Sequence, residues 1–167
     1  QPIQDYDREK SPVNIIHQEV GYSTRKISQL QEGDSLSVFF GPLGQPAHYH
    51  VDGPITRVLG IGGGVGIAPL FPQMRMLKEQ GVEVDVVLGG RSSDLVILKE
   101  EFEAMADNVF YATNDGSLGV TGFVTDVLKS RLDEGIKYDL VVAIGPMIMM
   151  KAVVAITKPL NIPTGIS

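Results

Sequence analysis

From residue 55 onward, short apolar runs alternate with stretches whose apolar residues recur every three or four positions. Runs at 57–61, 83–88, 109–113, 140–144 and 162–166 predict five strands, and the stretches at 69–80, 98–105, 123–132 and 147–156 predict four intervening helices. Strand–helix alternation implies parallel strands joined by right-handed crossovers. The expected fold is therefore α/β, a five-stranded parallel doubly wound sheet in the order 3-2-1-4-5 with helices on both faces. Ligands of such sheets bind at the carboxyl ends of the strands, near the switch point beside the first strand.

Residues 1–54 follow another pattern. Segments 13–19 and 36–40 are strand-like, and Gly21, Gly33, Asp34, Gly41, Pro42 and Gly44 stand in turn contexts. This predicts antiparallel β structure too short to close by itself, either packed on the α/β domain or forming the C-terminal part of a barrel. Val51, Asp52, Gly53 and Pro54 mark the boundary, which divides the chain into 1–54 and 55–167.

The first strand of the α/β pattern runs straight into Gly62, Gly63, Gly64, Val65 and Gly66, and Pro69 falls in the first turn of the following helix. Glycines at a strand-to-helix turn remove the β-carbons that would keep a phosphate from the backbone. The helix start adds unpaired amides and a partial positive charge. A dinucleotide pyrophosphate is the expected guest, although the spacing departs from G-x-G-x-x-G, and a tight turn without any ligand would use the same residues. Three further strand ends carry candidate chemistry: Gly89, Gly90 and Arg91; Asn114 and Asp115; Gly145 and Pro146. Arg91 suits a phosphate, or a salt bridge to Asp94 or Glu101. An acidic side chain such as Asp115 accepts ribose hydroxyls and repels a 2′-phosphate, which favours NAD(H) over NADP(H), although Asp-Gly is also a plain turn signal.

Composition narrows the partners. The 167 residues suffice for one complete core, and 43% hydrophobic with 20% charged residues is globular usage. A net charge of −6 without a Lys/Arg cluster argues against nucleic acid and anionic membranes, and no apolar run is long enough to span a bilayer. The first ten residues are polar and acidic, unlike a signal peptide, so a cytoplasmic location is expected. There is no cysteine, and the three histidines, His17, His48 and His50, form no catalytic triad or metal set by spacing.

Taken in order, several segments carry a resemblance: residues 5–10; Gln18 to Thr24 with Gly21, Ser23 and Thr24; Gly41 to Gly44; Gly62 to Pro69; Gly89 to Ser92 with Glu100, Glu101 and Phe102; Asn114 to Ser117; Gly122 to Asp126; and Ile144 to Pro146 with Met149, Met150 and Lys151. Together they resemble the ferredoxin-NADP reductase superfamily, in particular the small (alpha) subunit of NADH-dependent ferredoxin:NADP oxidoreductase and sulfide dehydrogenase. The electron-transfer subunit of dihydroorotate dehydrogenase is a close relative. The resemblance implies an NAD(P)H-dependent flavoprotein with FAD along Ile16, His17 and Gln18, and the FAD pyrophosphate at Gly21, Ser23 and Thr24. NAD(H) would lie at Gly62, Gly63, Gly64, Val65, Gly66, Arg91 and Asp115, with Gly145, Pro146 and Met149 beside the nicotinamide.

It further implies hydride transfer by positioning, without a catalytic acid or base, and electrons passed through a 2Fe-2S centre to ferredoxin or a larger flavoprotein subunit. Members carry an Arg-x-Pro-Leu-Thr-like segment before the match to Asp5 and a cysteine cluster after the match to Asn161–Thr164; neither occurs here, so the resemblance implies a fragment, with FAD weak or absent and no turnover alone. Gly119, Val120 and Thr121 stand where members often carry basic residues. A dihydroorotate dehydrogenase electron-transfer subunit and a non-catalytic nucleotide-binding module remain alternatives.

Overall fold

The computed structural model describes residues 3–6, 13–38 and 49–167. Strands β1 (Ile3–Tyr6) and β2 (Val13–Ile15) pair antiparallel, with Ile3 opposite Ile15, Tyr6 opposite Val13 and a bulge between. The strand expected at 13–19 thus ends at Ile15, and residues 36–38 form no strand; Phe39, Phe40, Gly41, Pro42, Gly44 and His48 lie outside the described residues. Where a turn was expected, residues Tyr22–Ser28 form a helix, α1. Its start is capped by Thr24, whose hydroxyl accepts the Val20 and Gly21 amides at 3.0 Å each and donates to the Gly21 carbonyl at 3.0 Å. Arg25 and Lys26 oppose the negative helix end. No residue of α1 is buried, so it carries no apolar stripe for a sequence pattern to reveal.

The main sheet comprises β3 (Arg57–Gly63), β4 (Glu83–Gly90), β5 (Asn108–Thr113), β6 (Val120–Thr121), β7 (Leu140–Ile144) and β8 (Thr164–Ile166), all parallel, in the order β6-β5-β4-β3-β7-β8. The order 3-2-1-4-5 is thus present, extended by β6, a two-residue edge strand that pairs Val120 with Ala112 and Thr121 with Thr113. The crossovers are α2 (Ile67–Glu79), α3 (Lys99–Met105), α4 (Val124–Asp133) and α5 (Met147–Thr157).

Period-two alternation divides the core into two layers. Val58, Val84, Val86, Leu88, Leu140, Val142 and Ile144 face α2 and α3, which contribute Ile67, Leu70, Phe71, Met74 and Phe102. Leu59, Ile61, Val87, Val141 and Ala143 face α4 and α5, with Val124, Val127, Leu128, Met150 and Val153. Phe71 and Phe102 meet edge-to-face at a centroid distance of 5.1 Å, which locks α2 to α3. Such aromatic pairs contribute about 0.5–1.5 kcal/mol beyond area burial.

At the base of the sheet Asp85 is fully buried. Arg57 donates to its Oδ2 at 3.1 Å, Tyr138 to the same oxygen at 2.8 Å and Asn108 to Oδ1 at 2.7 Å, while an Arg131 nitrogen stands 3.6 Å away. One carboxylate therefore ties β3, β4, β5, α4 and the approach to β7 together. Removing a partner from a buried ionic group leaves the remainder uncompensated, so Asp85→Ala is expected to cost about 3–5 kcal/mol in denaturant unfolding. An unchanged midpoint would contradict that assignment.

Nearby, Asp139 Oδ2 accepts the Thr56 hydroxyl at 2.7 Å and the amides of Thr56 and Arg57 at 2.8 and 2.9 Å. The Thr56 hydroxyl first, then the two amides, holds the Asp139 carboxyl below its usual value of 3.8. At Asp107 burial alone would raise the carboxyl, but the Lys78 ammonium and the Val84 amide outweigh it and the net direction is down. For a group depressed by folding, the stabilisation is complete above the usual value and is lost as pH falls through the folded one. Thermal melts should therefore hold level from neutral pH to about pH 5 and drop below about pH 4. Asp139→Asn should lower the neutral melting temperature and flatten that drop.

Candidate functional site

The carboxyl ends of β3, β4, β5 and β7 lie side by side, with Gly62 level with Ile144, Gly63 with Gly89, and Gly90 with Thr113. After β3 the chain makes a single tight turn, Gly64–Gly66, into α2. The four glycines of this turn do different work. Gly64 has φ 56° and nothing within 4 Å of a β-carbon built on it, so its backbone faces open space. A β-carbon on Gly66 would lie 2.7 Å from the Ile144 carbonyl carbon and 2.8 Å from Gly145 Cα. One on Gly63 would lie 2.5 Å from Met149 Sδ and 3.2 Å from Pro146 Cδ, and one on Gly62 would lie 2.9 Å from Ile67 Cγ1. The backbone at Gly64 is thus left open, while the lack of a β-carbon at Gly62, Gly63 and Gly66 lets β3, α2 and β7 close on one another.

Opposite the turn, Gly145 approaches Gly63: a β-carbon on it would sit 3.0 Å from the Gly63 carbonyl oxygen and 2.9 Å from Met149 Cε. Pro146 precedes α5, and the Met150 amide donates to its carbonyl at 3.1 Å. The lip of this crevice is apolar and exposed, at Val65, Met147 and Ile148, the last 80% exposed.

Arg91 directly follows β4, is exposed and forms no ion pair with Asp94 or Glu101 among the described residues. The Asp115 amide donates to the Arg91 carbonyl at 3.1 Å, so the arginine and the aspartate stand on adjacent strand ends although 24 residues separate them in the sequence. The parallel pairing of β4 and β5 thus brings an arginine beside Asp115. Asp115 Oδ1 accepts the Ser117 hydroxyl at 2.6 Å and the Ser117 amide at 3.0 Å, and these two donors hold its carboxyl below the usual carboxylate range. Ser93 donates its amide to Ser117 Oγ at 2.8 Å. Ser93 and Ser117 are thus parts of this strand-end network that sequence reasoning left out; the Asn-Asp-Gly-Ser turn signal marked Ser117, and nothing marked Ser93.

Ile16, His17 and Gln18 lie beyond β2 in irregular chain, rather than on a strand as expected. His17 Nε2 pairs with Ser28 Oγ at 2.9 Å, and Ser28 in turn donates to the Thr24 carbonyl at 3.0 Å. With Gly21, Ser23 and Thr24 these residues form a local unit, and no hydrogen bond or ion pair joins it to the crevice among the described residues. The Thr24 hydroxyl is taken up by the α1 cap. No group of three potential metal ligands occurs among the described residues. Chemically, the crevice offers main-chain donors and a helix start at Gly64–Gly66, the Arg91 cation, a held carboxylate and an apolar rim, which suits binding and orientation rather than proton transfer.

Relatives bear on the same strand ends. A Clostridium beijerinckii protein from the adh 3′ region is 42% identical over 99% of this chain and 57% of its own length. A Thermotoga maritima homologue of the electron-transfer subunit of dihydroorotate dehydrogenase B (NAD(+)) is 37% identical, again over 99% of this chain and 57% of its own length. Among solved structures, a chain of the NADH-dependent reduced ferredoxin-NADP oxidoreductase superposes with a TM-score of 0.85 at 35% identity, covering 99% of this chain and 58% of that one. The chain therefore spans little more than half the length of these relatives. Residues 61–155, from the end of β3 to within α5, match the family model described as the oxidoreductase NAD-binding domain, and the chain belongs to that family.

Proposed function

We propose that residues 55–167 are the nicotinamide-nucleotide half of a flavoprotein electron-transfer subunit and that residues 1–54 belong to its FAD-binding half. The observation that carries this reading is the division of labour in the turn after β3: a backbone laid open at Gly64 on a helix start, over a floor closed by Gly63, Gly66 and Gly145. The boundary is supported by Asp139, which fixes the main chain of the second half from Thr56 onward.

In this reading the amides around Gly64, Val65 and Gly66 take the pyrophosphate of NAD(H), Asp115 accepts the adenosine ribose hydroxyls, and Arg91 faces phosphate. Gly145, Pro146 and Met149, with Gly62 and Gly63, form the surface on which the nicotinamide lies. Ile16, His17, Gln18, Gly21, Ser23 and Thr24 line FAD, Thr24 through its main chain because its hydroxyl is engaged. FAD, held there, would supply the acceptor for the hydride of NADH. The chain's residues hold the two rings in reach, exclude water at the apolar lip of Val65, Met147 and Ile148, and move no proton. The chain has no cysteine and so supplies no thiolate to a 2Fe-2S centre.

In this reading electrons would pass to ferredoxin or to a larger flavoprotein subunit in the cytoplasm. No helix among the described residues is long and apolar enough to cross a membrane. The name carried by the Thermotoga maritima relative favours a second reading for the same machinery, an electron-transfer subunit serving a dihydroorotate dehydrogenase.

Calorimetric titration tests the cradle. NADH should bind more tightly than NADPH, and Gly64→Ala should weaken NADH about tenfold or more by placing a methyl where the phosphate rests, with a modest loss of melting temperature from the left-handed backbone. Gly66→Ala should instead lower the melting temperature markedly, because the Ile144 carbonyl leaves it no room. Absence of NADH binding, or Gly64→Ala binding as wild type, would overturn the reading.

A further inference from the structure

Two loops that leave neighbouring strands are tied together at one hydroxyl. Ser117 directs both its Oγ proton and its amide to Asp115 Oδ1, at 2.6 and 3.0 Å, and receives the Ser93 amide on the same Oγ at 2.8 Å. The frame around it is fixed. Buried Thr113 donates its hydroxyl to the Leu118 carbonyl at 2.9 Å and accepts the Leu118 amide at 3.0 Å, and Asn114 Nδ2 donates to the Gly122 carbonyl at 3.1 Å. Between them Gly116 turns the chain at φ 72°. The Asp115 side chain, though exposed, therefore has an orientation imposed by the loop rather than by solvent.

That orientation has a competitor. Arg91, free of ion pairs among the described residues, is hydrogen-bonded main chain to main chain with Asp115 at 3.1 Å, so a carboxylate released from Ser117 stands within the span of its guanidinium. Both Ser117 donors meet Oδ1, the Thr113 hydroxyl is a lesser influence, and the exposed carboxylate can still take an outside donor. A ribose with two free hydroxyls supplies such donors; a ribose bearing a 2′-phosphate supplies a negative charge instead. An Asp115–Arg91 pair would forfeit the first interaction and neutralise the second.

We propose that Ser117 is a positioning residue for the choice between NADH and NADPH, holding the Asp115 carboxylate toward the ribose and away from Arg91, with the Ser93 amide holding Ser117 in turn. This rests on the reading of Asp115 as the ribose acceptor. Direct titration of the full chain with NADH and with NADPH tests it on the wild type, Ser117→Ala, Ser117→Cys, Ser117→Thr and Asp115→Asn. Ser117→Ala should weaken NADH about tenfold, the scale of one lost hydrogen bond to a charged group, while NADPH changes little. Ser117→Cys keeps the volume with a poor donor and should behave alike, and Ser117→Thr keeps the hydroxyl and should retain the wild-type preference. A merely structural role would weaken both nucleotides equally and leave their ratio alone. If Ser117→Ala and Ser117→Cys keep the wild-type ratio while Asp115→Asn narrows it, the positioning role is wrong and the ribose acceptor stands. If Asp115→Asn leaves the ratio unchanged, or the wild type shows no preference, the ribose acceptor fails and the role of Ser117 with it.

Discussion

The carboxyl end of the sheet is governed by how closely the main chains of β3 and β7 pass as they leave their pairing. Parallel hydrogen bonding fixes Gly62 level with Ile144, and the next residues must turn outward within a space that admits no β-carbon at Gly63, Gly66 or Gly145. Only because those positions are glycine can the first turn of α2 settle over the end of β7, where its positive end points into the crevice. Gly64 alone is released from packing. The glycine-rich turn is therefore mostly a solution to a steric problem, with one backbone position left open by it.

The opposite end is held by charge. Asp85 gathers Arg57, Asn108, Tyr138 and Arg131, and Arg131 also pairs with Glu134 at 2.7 Å and lies over the Phe110 ring at 4.6 Å. This anchors the far end of α4. The near end of α4 begins directly after β6, where the Phe123 amide is capped by Asp126 at 2.9 Å. The loop that presents Asp115 therefore lies between a β-ladder and a helix fixed at its base, so a buried ionic cluster remote from the crevice still limits what the crevice loops can do. Burying Asp85 without partners would be costly; burying it among these donors converts that cost into a constraint on register.

Periodicity reads well where burial is strong. All five apolar runs became strands and all four amphipathic stretches became helices, and all but β8, whose residues are part-buried or exposed, place apolar side chains in the core. The signal fades where nothing is buried: α1 has no buried residue, and both residues of β6 are exposed, so neither leaves a periodic trace. Asp85 was invisible for the opposite reason, since a charged residue inside an apolar run looks like an outward-facing position until its partners, 28 and 53 residues away, come together around it. At the crevice, residue types at strand ends were legible from the strand boundaries alone. The expected order already set the strands before Arg91 and Asp115 side by side, but the register that levels Gly90 with Thr113 and joins the Asp115 amide to the Arg91 carbonyl was not legible.

The two halves of the chain differ in what holds them. The crevice at the sheet's carboxyl end is built from β-ladders, two packed layers and a loop clamped at Ser93, Thr113 and Ser117, all within residues 55–167. Its geometry is set before any nucleotide arrives, and preorganisation of that kind lowers the ordering cost of binding. The unit around residues 16–28 is held by short-range hydrogen bonds among exposed groups. Strand β2, just before it, pairs with β1, which packs against α2 of the second half, and Tyr49 adds a hydroxyl that donates to Gln73 on α2 and a ring that packs where a β-carbon on Gly165 would stand, 2.8 Å from Tyr49 Cε1. Nicotinamide-nucleotide recognition should accordingly be a property of the second half by itself.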